Sequence, residues 1–177
     1  QHDMPRALTR EEIPAIVNDY AQAARNAIAA GFDGIELHGA NGYLINQFID
    51  SQANLRDDDY GGSLQNRLRF MREVVTAVSA AIGKERVGIR LAPLTTLMGS
   101  KDDTPEATYL AAASVLNELG IAYIHIAEAD WEDAPVMPAA FKEALRIIFN
   151  GTLIYSGKYT KARAEESLSN GWADLIG

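Results

Sequence analysis

Five times along this chain a helix-forming stretch gives way, across a glycine or a short loop, to a brief apolar strand, and this recurrence most constrains its fold. The strand-like segments are Asp33–His38, Arg86–Ala92, Ile121–Ala127, Thr152–Ser156 and Ala173–Gly177. Helical patterns precede and separate them over Glu11–Ala30, Ser63–Ile82, Thr104–Leu119, Pro138–Phe149 and Thr160–Asn170. In the first helix Ile13, Ile16, Val17, Tyr20, Ala24, Ala27 and Ile28 fall on one face, as a helical period requires. Thr9-x-x-Glu12 reads as a capping box and Gly31 as the stop. The second carries Leu64, Leu68, Met71, Val75 and Val78 as its stripe and stops at Gly83. In the third, Thr104 reads as the N-cap, Pro105 as the first helical residue and Gly120 as the terminator. The order αβαβαβαβαβ calls for parallel strands joined by helical crossovers.

The class is therefore α/β. Five βα units fall short of a closed (β/α)8 barrel, which takes about 250 residues. Two architectures remain open: a doubly wound five-stranded sheet, or part of a barrel. An open sheet leaves its outer strands as edges, which are usually guarded by charge or proline. The last strand, Ala173–Gly177, has only Asp174 for that purpose. The expectation is a partial (β/α)8 TIM barrel of about five βα units, forming one domain over residues 1–177.

Composition narrows the partners. The formal charge of −8 argues against nucleic acid or an anionic membrane surface. With no cysteine, a disulfide scaffold, a thiolate nucleophile and a Cys-ligated metal are excluded. The polar opening QHDMPRAL has no targeting pattern, and the apolar run Leu110–Leu116 is too short to span a bilayer. These features suit a cytoplasmic protein. The chain opens on Gln1 and stops inside an apolar segment, so both ends read as cut.

The first strand releases His38, Asn41 and Tyr43 within six residues, just past its end. Parallel α/β scaffolds carry reaction sites at this end of their strands. His38 and Asn41 suit polarisation of a carbonyl, nitro or phenolate oxygen. Tyr43, a phenol with an ordinary pKa near 10, can protonate a developing carbanion. On spacing alone the plainer reading is a helix N-terminus with a capping Asn41 and a packed Tyr43. Strand alternation places Glu36 with His38, Arg90 with Gly88, and His125 with Tyr123, so that Glu36, Arg90 and His125 can meet as a polar cluster inside a barrel. Asp57, Asp58 and Asp59 precede two glycines and read as a solvated loop rather than a metal site. Ser156-Gly157-Lys158 precedes a helix, and amides there can hold a phosphate.

These residues also form long ordered motifs. GFDGIELHGANGYLINQF begins at Gly31, and a second motif runs from Asn54 through Arg56, Asp59, Tyr60, Gly61, Gly62 and Ser63 to Asn66 and Arg67. With VGIRLAP at Val87–Pro93, IAYIHIAEADW and the SGKYT turn, the chain resembles the old yellow enzyme family of FMN-dependent ene-reductases, in particular its N-ethylmaleimide and nitrate-ester reductases. The resemblance covers essentially the whole chain and implies about the last five strands of that family's barrel. It implies FMN as cofactor, NAD(P)H as reductant and a small-molecule substrate. His38 and Asn41 would bind the oxygen of the activating group, and Tyr43 would protonate the carbon opposite the hydride. Arg90 would sit beside the flavin ring, Gly157 and Lys158 near its phosphate, and Trp131 at the substrate pocket. Many bacterial members carry His where this chain has Asn41, and Lys158 stands where a small residue is usual. The family's first three strands and a Gly-Arg phosphate loop have no counterpart here. That leaves three readings: an ene-reductase, with the other half of the barrel or a second copy as partner; a non-catalytic partial barrel that folds or self-associates without FMN; or a phosphate-binding aldolase or isomerase. The last lacks a lysine at a suitable strand end.

Overall fold

The first helix begins where the apolar period begins. In the structure, a computed structural model that describes residues 6–129 and 134–177, α1 spans Ile13–Ala29 and buries Ile13, Ala21 and Ala24. Half of the capping box forms: the Glu12 carboxylate accepts the Thr9 N–H at 2.7 Å, and Pro14 occupies the first turn. Strand β1 (Ile35–Gly39) follows, then a six-residue helix, α2 (Leu44–Ile49), starting where the plainer reading of Asn41 and Tyr43 puts a helix N-terminus. The single helix expected over Ser63–Ile82 is divided at Leu68 into α3 (Leu64–Arg67) and α4 (Arg69–Ile82). The Ser63 hydroxyl caps α3 by accepting the Asn66 N–H at 3.3 Å. Helix α4 buries Phe70, Met71, Val74, Val75 and Val78 completely, each contributing about 1.5–3 kcal/mol of apolar burial.

Strand β2 (Val87–Leu91) leads to α5 (Pro105–Leu119). Thr104 stands at the N-cap of α5, but its side chain makes no capping bond. Asp102 fastens this end from outside the helix, accepting the Thr104 N–H at 2.8 Å and the Thr108 hydroxyl at 2.9 Å. Then come β3 (Tyr123–Ala127), α6 (Ala139–Ile148), β4 (Thr152–Ser156), α7 (Lys161–Ser169) and β5 (Leu175–Ile176). The run Asp57–Asp59 lies in a surface loop, with Asp57 and Asp59 exposed, and two of its acids are also anchors. Asp58 holds the Arg56 guanidinium and the Tyr60 N–H, and Asp59 pairs with Arg10. Asn54 donates to the carbonyls of Phe48 and Tyr60, both at 2.7 Å, so the second motif builds scaffold under the site.

All five strands are parallel in the order β1-β2-β3-β4-β5. This order decides between the two open architectures. A doubly wound sheet reverses its strand order at a switch point. Sequential order with one hand of crossover puts every helix on one face, as in a barrel wall. Burial agrees: Leu37, Ile89, Leu91, Ile124, Ile126, Leu153 and Tyr155 are buried on the helix side. On the opposite face Glu36 and His38 are exposed, and Arg90, Tyr123, His125 and Ser156 are partly so. No helix of the described residues is long and apolar enough to cross a membrane.

Candidate active site

The turn that releases the candidate residues is set by local chemistry. Tyr43 N–H donates to the Ala40 carbonyl at 3.2 Å, with Asn41 at φ 57° and Gly42 at φ 78° between them. Two consecutive positive φ values make a type I′ turn, for which Asn-Gly is the favoured pair. A Cβ on Gly42 would lie 2.5 Å from the Met98 Cβ, so the loop after β2 packs directly on the turn. The first turn of α2 clamps the same peptide from below. Asn46 Oδ1 accepts the Gly42 N–H at 2.8 Å while its amide donates to the buried Tyr109 hydroxyl, and Gln47 donates to the Gly42 carbonyl. Asn41 is therefore the left-handed residue of the turn and not a helix cap. Tyr43 is the N-cap of α2 by position, half exposed rather than packed in the core. Its ring tilts against His38, centroids 4.8 Å apart.

Register places His38, Arg90 and His125 side by side on the half-open face. Partial burial, the largest influence, and the positive charge of Arg90 hold the His38 imidazole below its ordinary value of 6.5, so it is neutral at pH 7. The expected Glu36–Arg90–His125 cluster forms only in part. His125 Nδ1 meets Glu36 at 3.0 Å and its Nε2 meets the Ser156 hydroxyl at 2.7 Å, whereas, among the described residues, Arg90 beside them forms no hydrogen bond or ion pair with either. Burial alone would raise the Glu36 carboxyl; hydrogen bonds from His125 and Tyr123 and the charge of Arg90 bring it below its usual range. Burial, then the Glu36 charge, pushes the Tyr123 phenol up to about 12.

Beyond the strand ends a cavity of about 350 Å³ is lined by Asn41, Arg90, Glu128, Ser156, Gly157 and Lys158, among others. Arg90 Nε is buried and has no hydrogen-bond partner among the described residues. Gly157 (φ 121°) and Lys158 (φ 44°) form a tight turn at the far wall. A Cβ on Gly157 would strike the Glu128 carbonyl at 2.5 Å, so only glycine fits there. The Thr160 hydroxyl caps α7 just behind.

Asn41, Arg90, Gly157 and Lys158 thus share one cavity, while His38 and Tyr43 stand near it as a tilted ring pair. Trp131 lies outside the described residues. Sequence reasoning missed Thr95 and Leu97 in the cavity wall, because the loop after β2 carries no periodic signal. It also missed Asn46 and Gln47, although two amide side chains one turn after an Asn-Gly pair are a readable sign of a clamped turn.

Comparison with known proteins gives a consistent picture. The family model for the NADH:flavin oxidoreductase / NADH oxidase family matches residues 1–177. The chain is 48% identical over 174 residues to 12-oxophytodienoate reductase 2 of Arabidopsis thaliana, covering 97% of this chain and 46% of that protein. It is 43% identical over 176 residues to a probable flavin mononucleotide-dependent alkene reductase of Leishmania infantum, covering 99% of this chain and 47% of that one. Its fold superposes on morphinone reductase in complex with tetrahydroNAD with a TM-score of 0.92 at 48% identity, covering 98% of this chain and 47% of the other. The chain spans about half the length of the curated relatives it matches.

Proposed function

Because the chain belongs to the NADH:flavin oxidoreductase / NADH oxidase family, the old yellow enzymes, we propose that it carries the substrate-activating part of an FMN-dependent, NAD(P)H-driven ene-reductase. The observation that carries this reading is Arg90: a buried guanidinium nitrogen without a partner among the described residues, on a side chain that lines the cavity with Asn41, Gly157 and Lys158. A buried donor left unsatisfied costs about 1–3 kcal/mol unless something polar reaches it. A flavin carbonyl or ring nitrogen is a fitting acceptor. The gap kept open at Gly157, before the N-terminus of α7, fits a phosphate.

Bound FMN supplies hydride transfer, from NAD(P)H to the β-carbon of a C=C bond conjugated to a carbonyl or nitro group. The chain's own residues do the rest. His38, neutral at pH 7, and Asn41 donate hydrogen bonds to the oxygen of the activating group and so favour charge arriving there. Tyr43 gives its phenolic proton to the α-carbon, and its half exposure lets water restore that proton. Arg90 offers Nε to the cofactor ring, and the backbone of Gly157 and Lys158 meets the phosphate. Trp131 is assigned to the substrate pocket on the motif alone.

Titration of FMN with the purified chain tests the reading. We expect a yellow 1:1 complex with quenched flavin fluorescence. A chain that leaves flavin fluorescence unchanged sinks cofactor binding by these five units.

One observation favours a second reading. Strands β1 and β5 each pair on one side only, and the face that carries Glu36 and His38 is exposed. We propose that these edges take the remaining barrel units or, failing those, a second copy of this chain. Self-association without FMN would mark the non-catalytic alternative.

A further inference from the structure

Beneath the Gly157-Lys158 turn lies a charge cluster with no part in the chemistry above. The Glu128 side chain is only 3% exposed. Its Oε1 meets Lys142 Nζ at 2.8 Å and accepts the Tyr159 hydroxyl, while its Oε2 accepts Arg163 Nη2. Lys142 is 5% exposed and lies 5.1 Å from the Tyr155 ring centroid. Arg163 reaches a second target: its Nη1 donates to the Gly157 carbonyl at 3.1 Å, and its guanidinium stacks 4.2 Å from the Tyr159 centroid. The backbone of Glu128 closes the other side, since its N–H donates to the Ser156 carbonyl at 2.8 Å.

We propose that Arg163, held by Glu128, is a positioning residue for anion binding at this turn. The Gly157–Lys158 peptide is trans, so its carbonyl and N–H point in opposite directions. Drawing the Gly157 carbonyl onto Arg163 turns the Lys158 N–H away from the cluster, toward the cavity that both residues line. Lys158 holds a positive φ, which a side chain other than glycine adopts only when its surroundings enforce it. The Glu128–Arg163–Gly157 chain of bonds supplies that enforcement. The cluster also has two cations to one carboxylate, which favours an anion nearby. Charge and positioning make different demands: lysine at position 163 keeps the charge, but it lacks the planar fork that spans Glu128 and the Gly157 carbonyl.

The inference rests on reading the turn as a phosphate seat, and its test separates the two. Inorganic phosphate is titrated into the isotopically labelled native chain and into Arg163→Lys, following the backbone amides of Gly157 and Lys158. In the native chain both resonances should shift saturably. In Arg163→Lys the phosphate affinity should fall at least five-fold, with the amides of α1 unchanged as a check on folding. Equal affinity in the two proteins, or no response at the native turn, overturns the proposal. FMN and riboflavin, which differ by the phosphate, give the second arm. Arg163→Lys should reduce the preference for FMN and leave riboflavin affinity unaltered. A chain that binds neither flavin, yet binds phosphate through Arg163, refutes the cofactor reading and upholds this one. A chain that binds FMN equally well with Lys at 163 does the reverse.

Discussion

Tyr43 is placed by its neighbours rather than by its own bonds. The type I′ turn aims it out of the sheet, and the His38 ring, 4.8 Å away, supports one side. On the proposed reading, Tyr43 is a proton donor that acts late, after hydride has reached the substrate. Tyr43→Phe should therefore slow reoxidation of the reduced flavin by weakly activated alkenes about 10²-fold or more, the scale of a positioned general acid. Flavin reduction by NAD(P)H should keep its rate. Stopped-flow measurement of the two half-reactions checks this, and an equal fall in both sinks the donor assignment. These residues were legible because they lie within six positions and their identities fit one purpose. Asn41 is legible twice over, since asparagine also tolerates the left-handed region that the turn needs. The Glu128, Lys142 and Arg163 cluster was not legible. Its members sit before α6, on α6 and on α7, and nothing in local spacing announces that folding unites them.

At the level of elements, the loops after β1 and β2 are fastened to each other by two aspartates. Asp50, at the end of α2, accepts the Lys101 N–H at 2.7 Å. Asp102 accepts the Ser51 N–H at 3.0 Å and pairs with Arg67 of α3 at 2.8 Å, both side chains being buried. The Arg67–Asp102 pair thus ties α3 to the start of α5. Burial, the largest influence on Asp102, raises its pKa. Hydrogen bonds from Thr104 N–H, Thr108, Arg67 and Ser51 N–H outweigh burial, and the group ends below its ordinary 3.8. A carboxyl depressed in the folded state binds its proton more readily once unfolded. Its contribution to stability is therefore present above pH 3.8 and is lost as the pH falls through the folded value. Asp102→Asn should lose about 3–5 kcal/mol at pH 7, the usual cost of stripping one partner from a buried pair. It should also show a shallower decline of stability below pH 3.8. Urea unfolding across that range is the measurement; an unchanged slope would show that Asp102 is not the group that titrates. Sequence reasoning found the long helices because they run for several turns with a steady stripe. For α2 it offered only a helix start beside Asn41 and Tyr43, because six residues show too little of the period to give its length. Thr104 does take the N-cap position, but its side chain makes no capping bond; Asp102 instead holds the Thr104 N–H and the Thr108 hydroxyl, contacts that spacing alone does not announce.

On the scale of the whole molecule, the distinction that sequence left open, barrel wall or doubly wound sheet, is one of strand order. Strand order is a long-range property. The apolar alternation of β1 to β5 is the same in either architecture, so only the observed pairing of each strand with the next could choose. That choice has a physical consequence. A barrel wall of five parallel strands has two edges with unpaired backbone groups, and such edges template pairing with another chain unless something blunts them. At one edge β5 is only two residues long, and Leu175 is 54% exposed on it. The native chain should therefore sediment with a coefficient that rises with concentration. Leu175→Lys sets a charge on that edge at little cost to the core, because the leucine is already half in water. It should hold the chain monomeric at the same concentrations with an unchanged thermal midpoint. A native chain that stays monomeric throughout would rule out self-pairing through the edges and leave the remaining barrel units as their occupant. Added FMN separates the ene-reductase from the non-catalytic fragment in the same experiment, since only the former should carry flavin absorbance in its sedimenting boundary.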